Sequence, residues 1–305
     1  MIPLEMQRAV INATRRRVRY VYSLVNKEFF KIDVPVTTTP YKIAICFSGG
    51  LRNFHITMEW TNKFLIDPLK ADVFFHGWCN KDGIEDNTRK IPGYHNLKKF
   101  KILEREKHPI PIPDIMKNKY PEHVRRGIGM ELADHVLGQL FNIQNSFNIL
   151  KEYEEETATH YDIVIRARPD VFWYANIPDA DLIHTMNNYC LATPQHYISI
   201  ICGQHINDQF AMAKRNAMEQ YTQMFNRIEE YAKIAPNDSA TEFFVTHHVQ
   251  NVMKIPIHNI DATFMLDYPA DYPIERGFSN STLRHKDQND SVVAKMVTDN
   301  IIRSR

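Results

Sequence analysis

Short apolar runs alternating with helix-period stretches predict an α/β fold: a mainly parallel central sheet flanked by helices. Three stretches carry that expectation. Ile163, Val164 and Ile165 form the β-branched run of a buried strand. Tyr41–Phe47 is another short apolar run, and it breaks into Ser48-Gly49-Gly50 before a predicted helix through Trp60 and Leu65. Between the two, from Gly129 to about Glu156, Leu132, Val136, Leu140, Ile143, Phe147 and Leu150 recur at helical spacing. Ligands of such sheets bind beyond the carboxyl ends of the strands. That rule places Ser48–Arg52 and Arg166–Asp170 on one rim.

Composition narrows the class. The chain has 305 residues, 44% hydrophobic and 24% charged, ordinary values for a soluble globular protein. Its net charge of +1 gives no general attraction to nucleic acid. Ten glycines argue against a glycine-rich phosphate loop. Cys46, Cys79, Cys190 and Cys202 are widely spaced, which fits free thiols in a reducing, cytoplasmic setting. No window approaches the ~18–20 apolar residues of a membrane span, and no signal-peptide core follows Met1-Ile2-Pro3.

In chain order, residues 4–30 read as a basic amphipathic helix, with Arg15, Arg16, Arg17 and Arg19 beside an apolar stripe of Val18, Val21, Tyr22 and Val25. Such a helix packs on its domain or touches a membrane surface peripherally. Val34–Pro40 reads as a linker, so residues 1–40 stand apart from the main fold. Ala71–Trp78 and Phe100–Glu104 are the next strands, with loop expected over 80–96 and an extended Pro-rich segment over 107–121. The long helix carries a dense amide set: Gln139, Asn142, Gln144, Asn145 and Asn148. Its acidic end, Glu152–Glu156, opposes the helix dipole and predicts fraying. Later strands are expected at 189–193, 198–202 and 255–265. Helices are expected over 203–232 and from Thr241, followed by a polar tail over 279–305. In these helices Asp208 suits an N-cap and Glu242 a first turn. His247 and His248, neighbours on a helix, diverge too far to share a zinc ion.

The chemistry concentrates around the third stretch. A period of 2 puts Asp162, Arg166, Arg168 and Asp170 on one face of the strand, and Pro169 stops regular pairing beside Asp170. Two arginines and a carboxylate at the end of an apolar strand are costly to bury idle. They suit an anionic ligand, a metal-bridged ligand, or a structural Arg–Asp pair. The Ser48-Gly49-Gly50 turn offers backbone N–H groups to a phosphate, and Arg52 adds a bidentate donor.

Several motifs together resemble a group of glycosyltransferases from bacteria and large DNA viruses. Ser48-Gly49-Gly50-Leu51-Arg52 is similar to their "SGQ-x-R" start, and Tyr161–Asp170 to their "YD-x-vi-R-x-RpD" strand. Gln139–Leu150, Asn207–Ala213 and Thr241–Phe244 match further segments in the same order. The resemblance implies a GT-A-like, Rossmann-like fold, with a nucleotide-sugar half over 41–175 and an acceptor half over 176–278. It implies a nucleotide-sugar donor and a glycan or glycoprotein acceptor, in the host cytoplasm if the chain is viral. By that likeness Ser48, Gly49, Gly50, Arg52, Arg166, Arg168 and Asp170 bind the donor. Asp170 also takes the acidic metal position, with Mn or Mg as the divalent cation and His285 as a further ligand. One carboxylate stands where an Asp-x-Asp pair is usual. Inversion would require an acceptor-side base, Asp208 first and Glu242 second.

Two other readings remain. Ser48-Gly49-Gly50-Leu51 also resembles the Ser-Gly-Gly loop of ATP pyrophosphatases, although Arg52 and Asn53 depart from its Asp-Ser ending. A non-catalytic nucleotide- or carbohydrate-binding module would bind without turnover.

Overall fold

β1 (Ile43–Gly50) is the strand on which the sheet is built. Its first six residues are all buried, because helices cover both faces of the sheet. The computed structural model describes residues 33–51, 54–79, 84–119, 129–173, 175–194, 206–237, 239–260 and 264–266. The chain divides into a unit Val34–Asp267, to which these residues belong apart from Asp33, and a second unit of Met1–Asp33 with Tyr268–Arg305. The N-terminal helix, Arg52, the strand expected at 198–202, Cys202, His285 and the polar tail lie outside the described residues.

β2 (Asp72–Cys79) and β4 (Ile163–Ala167) flank β1 in parallel, and β3 (Leu97–Glu104) extends the sheet beyond β2. Beyond β4 come β7 (Phe210–Lys214), β6 (Leu191–Pro194) and β8 (Ile257–Ile260), giving the order β3-β2-β1-β4-β7-β6-β8. β7 is antiparallel to both neighbours, while β6 and β8 pair in parallel. β5 (Val171–Trp173) leaves this sheet and pairs antiparallel with β9 (Phe264–Leu266). The fold is α/β with a mostly parallel seven-stranded sheet, as the sequence predicts.

Eight helices frame the sheet among the described residues: α1 (Phe54–Thr61), α2 (Ile84–Lys90), α3 (Asp114–Lys119), α4 (Gly129–Thr157), α5 (Asp179–Asn187), α6 (Arg215–Tyr221), α7 (Ile228–Ile234) and α8 (Thr241–His247), apart from a three-residue turn at Asp67–Leu69. Val136, Leu140, Ile143 and Phe147 of α4 join Ala44, Cys46, Phe74 and Val164 in one core. The opposite face is aromatic: Phe47 stacks on Tyr94 at 5.0 Å, and Phe54 of α1 packs on Phe75 at 6.2 Å.

Six local expectations are corrected. β1 runs straight through Ser48-Gly49-Gly50, which pair with His76, Gly77 and Trp78, so no turn begins at Ser48. Residues 80–96 contain α2, a helix with two i,i+4 ion pairs, Arg89 to Glu85 and Lys90 to Asp86. The Pro-rich segment closes into α3 after Pro113. α4 continues to Thr157, because Lys99 meets Glu152 and Glu156, and Arg215 takes Glu154. Phe210–Lys214 is a strand where a helix was expected, and 255–265 divides into β8 and β9, which belong to different sheets.

Candidate functional site

Strand order 3-2-1-4 reverses direction between β1 and β4, and the carboxyl ends of those two strands carry the candidate residues. Ser48 is wholly buried, and its Oγ accepts a hydrogen bond from Arg166 Nε at 2.9 Å. Gly49 has φ +139°, a conformation closed to most side chains. A Cβ on its partner Gly77 would stand 2.6 Å from the Gly49 carbonyl oxygen, so two glycines are needed where these strands meet.

Arg166 is fully buried. Its Nη1 donates to the Asp208 backbone carbonyl, while Nη2 has no hydrogen-bond partner among the described residues. Burial lowers its pKa, and the charges of Asp208 and Asp170 work against that shift. The sequence reading aimed Arg166 at a phosphate. The structure places it behind the rim, where it fastens β1 to the entrance of β7. Asp162 shares its strand face but stands at the opposite end, accepting from the Lys42 backbone N–H at 2.8 Å.

β4 ends at Ala167, and Arg168, Pro169 and Asp170 form the passage to β5. Arg168 grips Asp170 with both arms of its guanidinium, Nε to Oδ1 at 2.9 Å and Nη2 to Oδ2 at 2.8 Å. The Arg168 side chain is 16% exposed and the Asp170 carboxylate 2%. Thr57 Oγ of α1 donates to the Pro169 carbonyl at 2.6 Å and holds this turn down.

Asp208 and Glu242 arrive from two other elements. Asp208 is not an N-cap: it precedes β7, which enters the sheet at the rim where β4 leaves it. Glu242 lies in the first turn of α8 and is partly buried. Burial, and next the charge of Asp208, push its pKa up to about 7. Gln139 of α4 joins the two. Its Nε2 donates to Asp208 Oδ2 at 2.6 Å and to the Asp208 carbonyl at 3.1 Å, while its Oε1 accepts from Thr241 Oγ at 3.2 Å.

Behind this seam, His76 stands opposite Ser48 in the β1/β2 register and donates from Nδ1 to Asn142 Oδ1 at 2.7 Å. Asn142 in turn donates to the Gly138 carbonyl at 2.6 Å, which fixes its amide and hence the histidine tautomer. Burial holds His76 down to about 4. The hydroxyls of Tyr94 and Tyr221 are buried without a hydrogen-bond partner among the described residues, close enough to Asp170 and to Arg166 for their charges to be felt. Of these residues, sequence reading singled out only Gln139 and Asn142, as members of the amide set and with a solvated face as the ordinary explanation. Asn142 is instead wholly buried.

The structure thus brings together Ser48, Gly49, Gly50, Arg166, Arg168, Asp170, Asp208 and Glu242, and leaves Arg52 and His285 outside the described residues. A divalent cation needs several oxygen or nitrogen ligands. Among the described residues no group of three or more His, Cys, Asp or Glu side chains is placed to hold one, and both Asp170 oxygens are engaged by Arg168. The described residues do not fit a resident metal. No helix of the described residues is long and apolar enough to cross a membrane.

Comparison with solved structures finds similarity to mouse xyloside xylosyltransferase 1 in its apo form: 9% identity, 72% of this chain and 85% of that chain covered, TM-score 0.40. The mannosyltransferase Ktr4p of S. cerevisiae is similar at 13% identity over 85% of this chain and 84% of that one, TM-score 0.46. No curated protein matches the sequence. One family model spans residues 38–242, from the linker before β1 to Glu242, and the chain belongs to that family, the domain of unknown function DUF7796.

Proposed function

We propose that the chain is a glycosyltransferase that moves a sugar from a nucleotide-diphosphate sugar to a hydroxyl acceptor. One observation carries the reading: two guanidiniums and three carboxylates from four separate elements converge at the strand-order reversal, largely out of water. Charged groups are not gathered this way at no cost in a core, and such a site stabilises charge that develops during a reaction. Arg168 supports this by its place at the rim and its partial exposure, from which it meets a diphosphate while keeping Asp170.

In an inverting reaction the acceptor oxygen forms the new bond to the anomeric carbon. The bond from that carbon to the diphosphate oxygen breaks, and its electron pair leaves with the diphosphate. The hydroxyl proton passes to a carboxylate, for which Asp208 is the assigned base. Glu242, with its pKa raised to about 7, is protonated below neutral pH and only partly ionised at it, which reduces the negative charge beside the departing anion.

The test is release of nucleotide diphosphate from a panel of nucleotide sugars offered with glycan acceptors. Turnover with at least one donor is expected, and Asp208→Asn should reduce kcat by about 10²–10⁴-fold. Binding of donors by calorimetry with no turnover would replace this reading with that of a binding module. Unchanged turnover in both Arg168→Ala and Asp170→Ala would overturn the site assignment.

A further inference from the structure

Gln139 lies on α4 among the core residues Val136, Leu137 and Leu140, and its amide meets Asp208 at the approach to β7. Two acceptors of Asp208, the carbonyl and Oδ2, face the same nitrogen, so the amide must present its NH₂ there. The remaining oxygen then faces the Thr241 hydroxyl, which can only donate to it. Both ends of the amide are thereby determined by the chemistry of their neighbours, and the side chain has one orientation.

We infer that Gln139 is the positioning residue of this site: it aims the Asp208 carboxylate toward the acceptor hydroxyl and ties it to the start of the helix that carries Glu242. This inference rests on the transferase reading of the same site. The physical ground is an asymmetry between two neighbouring acids. One carboxylate oxygen of Asp208 is held by an N–H of Gln139. Glu242 is half-buried beside that charge, and burial with it pushes its pKa up to about 7. The surrounding charges do not reverse this. Arg166 from β4 donates to the Asp208 carbonyl, Arg168 lies near Glu242, Tyr221 from α6 faces Arg166 and Asp208, and Asp170 is bound to Arg168. Ile206 N donating to Thr246 Oγ at 2.8 Å adds a second tie between the approach to β7 and α8, so the two acids move together if they move at all.

The inference separates two roles that a purely structural glutamine would not distinguish. Without the Gln139 N–H, a buried oxygen of Asp208 loses its donor, and the proton held on Glu242 becomes shared between the two acids. The titration of Glu242 should then move down.

The experiment is a ¹³C NMR titration of side-chain carboxyls in the full-length chain labelled at Asp and Glu, with Glu242→Gln and Asp208→Asn to assign the two resonances. In Gln139→Met, an apolar side chain of similar length, the Glu242 midpoint is expected to fall by about one pH unit. Thr241→Val, which only frees the amide to rotate, should give a smaller shift in the same direction, and it decides the matter if Gln139→Met does not fold. A Glu242 midpoint that stays where the parent has it in the folded variants overturns the inference. Turnover provides the second readout. Gln139→Met should lower kcat with little change in the donor KM and should move the acid limb of the pH profile, whereas a structural loss would scale activity equally at every pH. Should the NMR midpoint shift while the parent turns over no donor, the transferase reading fails and the coupling of the two acids stands.

Discussion

At the scale of single residues, the Arg168–Asp170 pair decides how this site is read. Pattern alone allowed a ligand-binding Arg and a metal-binding Asp, or an idle pair. The side chains do pair, in a bidentate contact: the strand ends before Arg168, and the turn at Pro169 brings the two side chains together. Removing one partner of a buried pair leaves an uncompensated charge, so Asp170→Asn should cost about 3 kcal/mol or somewhat more. Replacing both, as Arg168→Met with Asp170→Leu, should recover most of that loss. Urea denaturation of the single and double variants measures it, and a single-variant cost below about 1 kcal/mol would show that the pair is solvated and weak. Gln139 illustrates the opposite limit. Its residue type was visible among the amides of α4, but its role follows from Asp208, 69 positions away, and nothing local records that distance.

At the scale of elements, the strands with β-branched or aromatic runs were legible, and so was α4, whose apolar spacing extends over many turns. β7 was not. Phe210-Ala-Met-Ala-Lys214 contains no β-branched residue and two alanines, a sequence with better helix than strand propensity, and it is a strand because both its edges are paired. α2 was hidden for the converse reason, its polar surface being stabilised by ion pairs along the helix instead of by an apolar stripe. Glycine placement along β1 and β2 gives a direct test of how the elements set the site. Gly77→Ala puts a Cβ 2.6 Å from the Gly49 carbonyl and 3.0 Å from the Phe75 ring, and backbone cannot yield as a side chain does. A loss of about 1–3 kcal/mol is expected, with turnover falling as the end of β1 shifts. Gly50→Ala meets no atom within 4 Å and should leave the melting temperature nearly unchanged. Equal effects of the two substitutions would refute the close approach of the strands.

For the molecule as a whole, buried titratable groups set the dependence of stability on acidity. His76, and His248 between the Tyr231 hydroxyl and the Gln220 carbonyl, are both held down to about 4 by burial, from an ordinary 6.5. For each, the unfolded chain takes the proton first. Their contribution is complete above 6.5 and is lost as pH falls toward 4. Glu242 runs the other way: with a folded value of about 7 against an ordinary 4.5, its contribution is complete below 4.5 and is lost as pH rises toward 7. Two histidines outweigh one carboxyl, so net stability should fall between pH 6.5 and 5, by about 1.4 kcal/mol per pH unit for each net proton. Urea midpoints at pH 7, 6 and 5 with an unchanged m value would show it; a flat or rising profile toward pH 5 would contradict the burial of these rings.

The reversed strand β7 has a consequence for the order in which this protein becomes competent. Arg166 and the Asp208 carbonyl are 42 positions apart, and the bond between them closes the loop that begins as the chain leaves β4. A chain emerging from the ribosome holds β1, β2, β3 and β4 long before Phe210 is made, yet none of the acid-bearing half of the site exists until β7 comes back along β4. Closing such a loop costs entropy before any contact rewards it, which places this pairing late. Activity would then act as a completion signal, because a chain stopped short of Asp208 carries Arg166, Arg168 and the glycines of the rim and still lacks the proposed base.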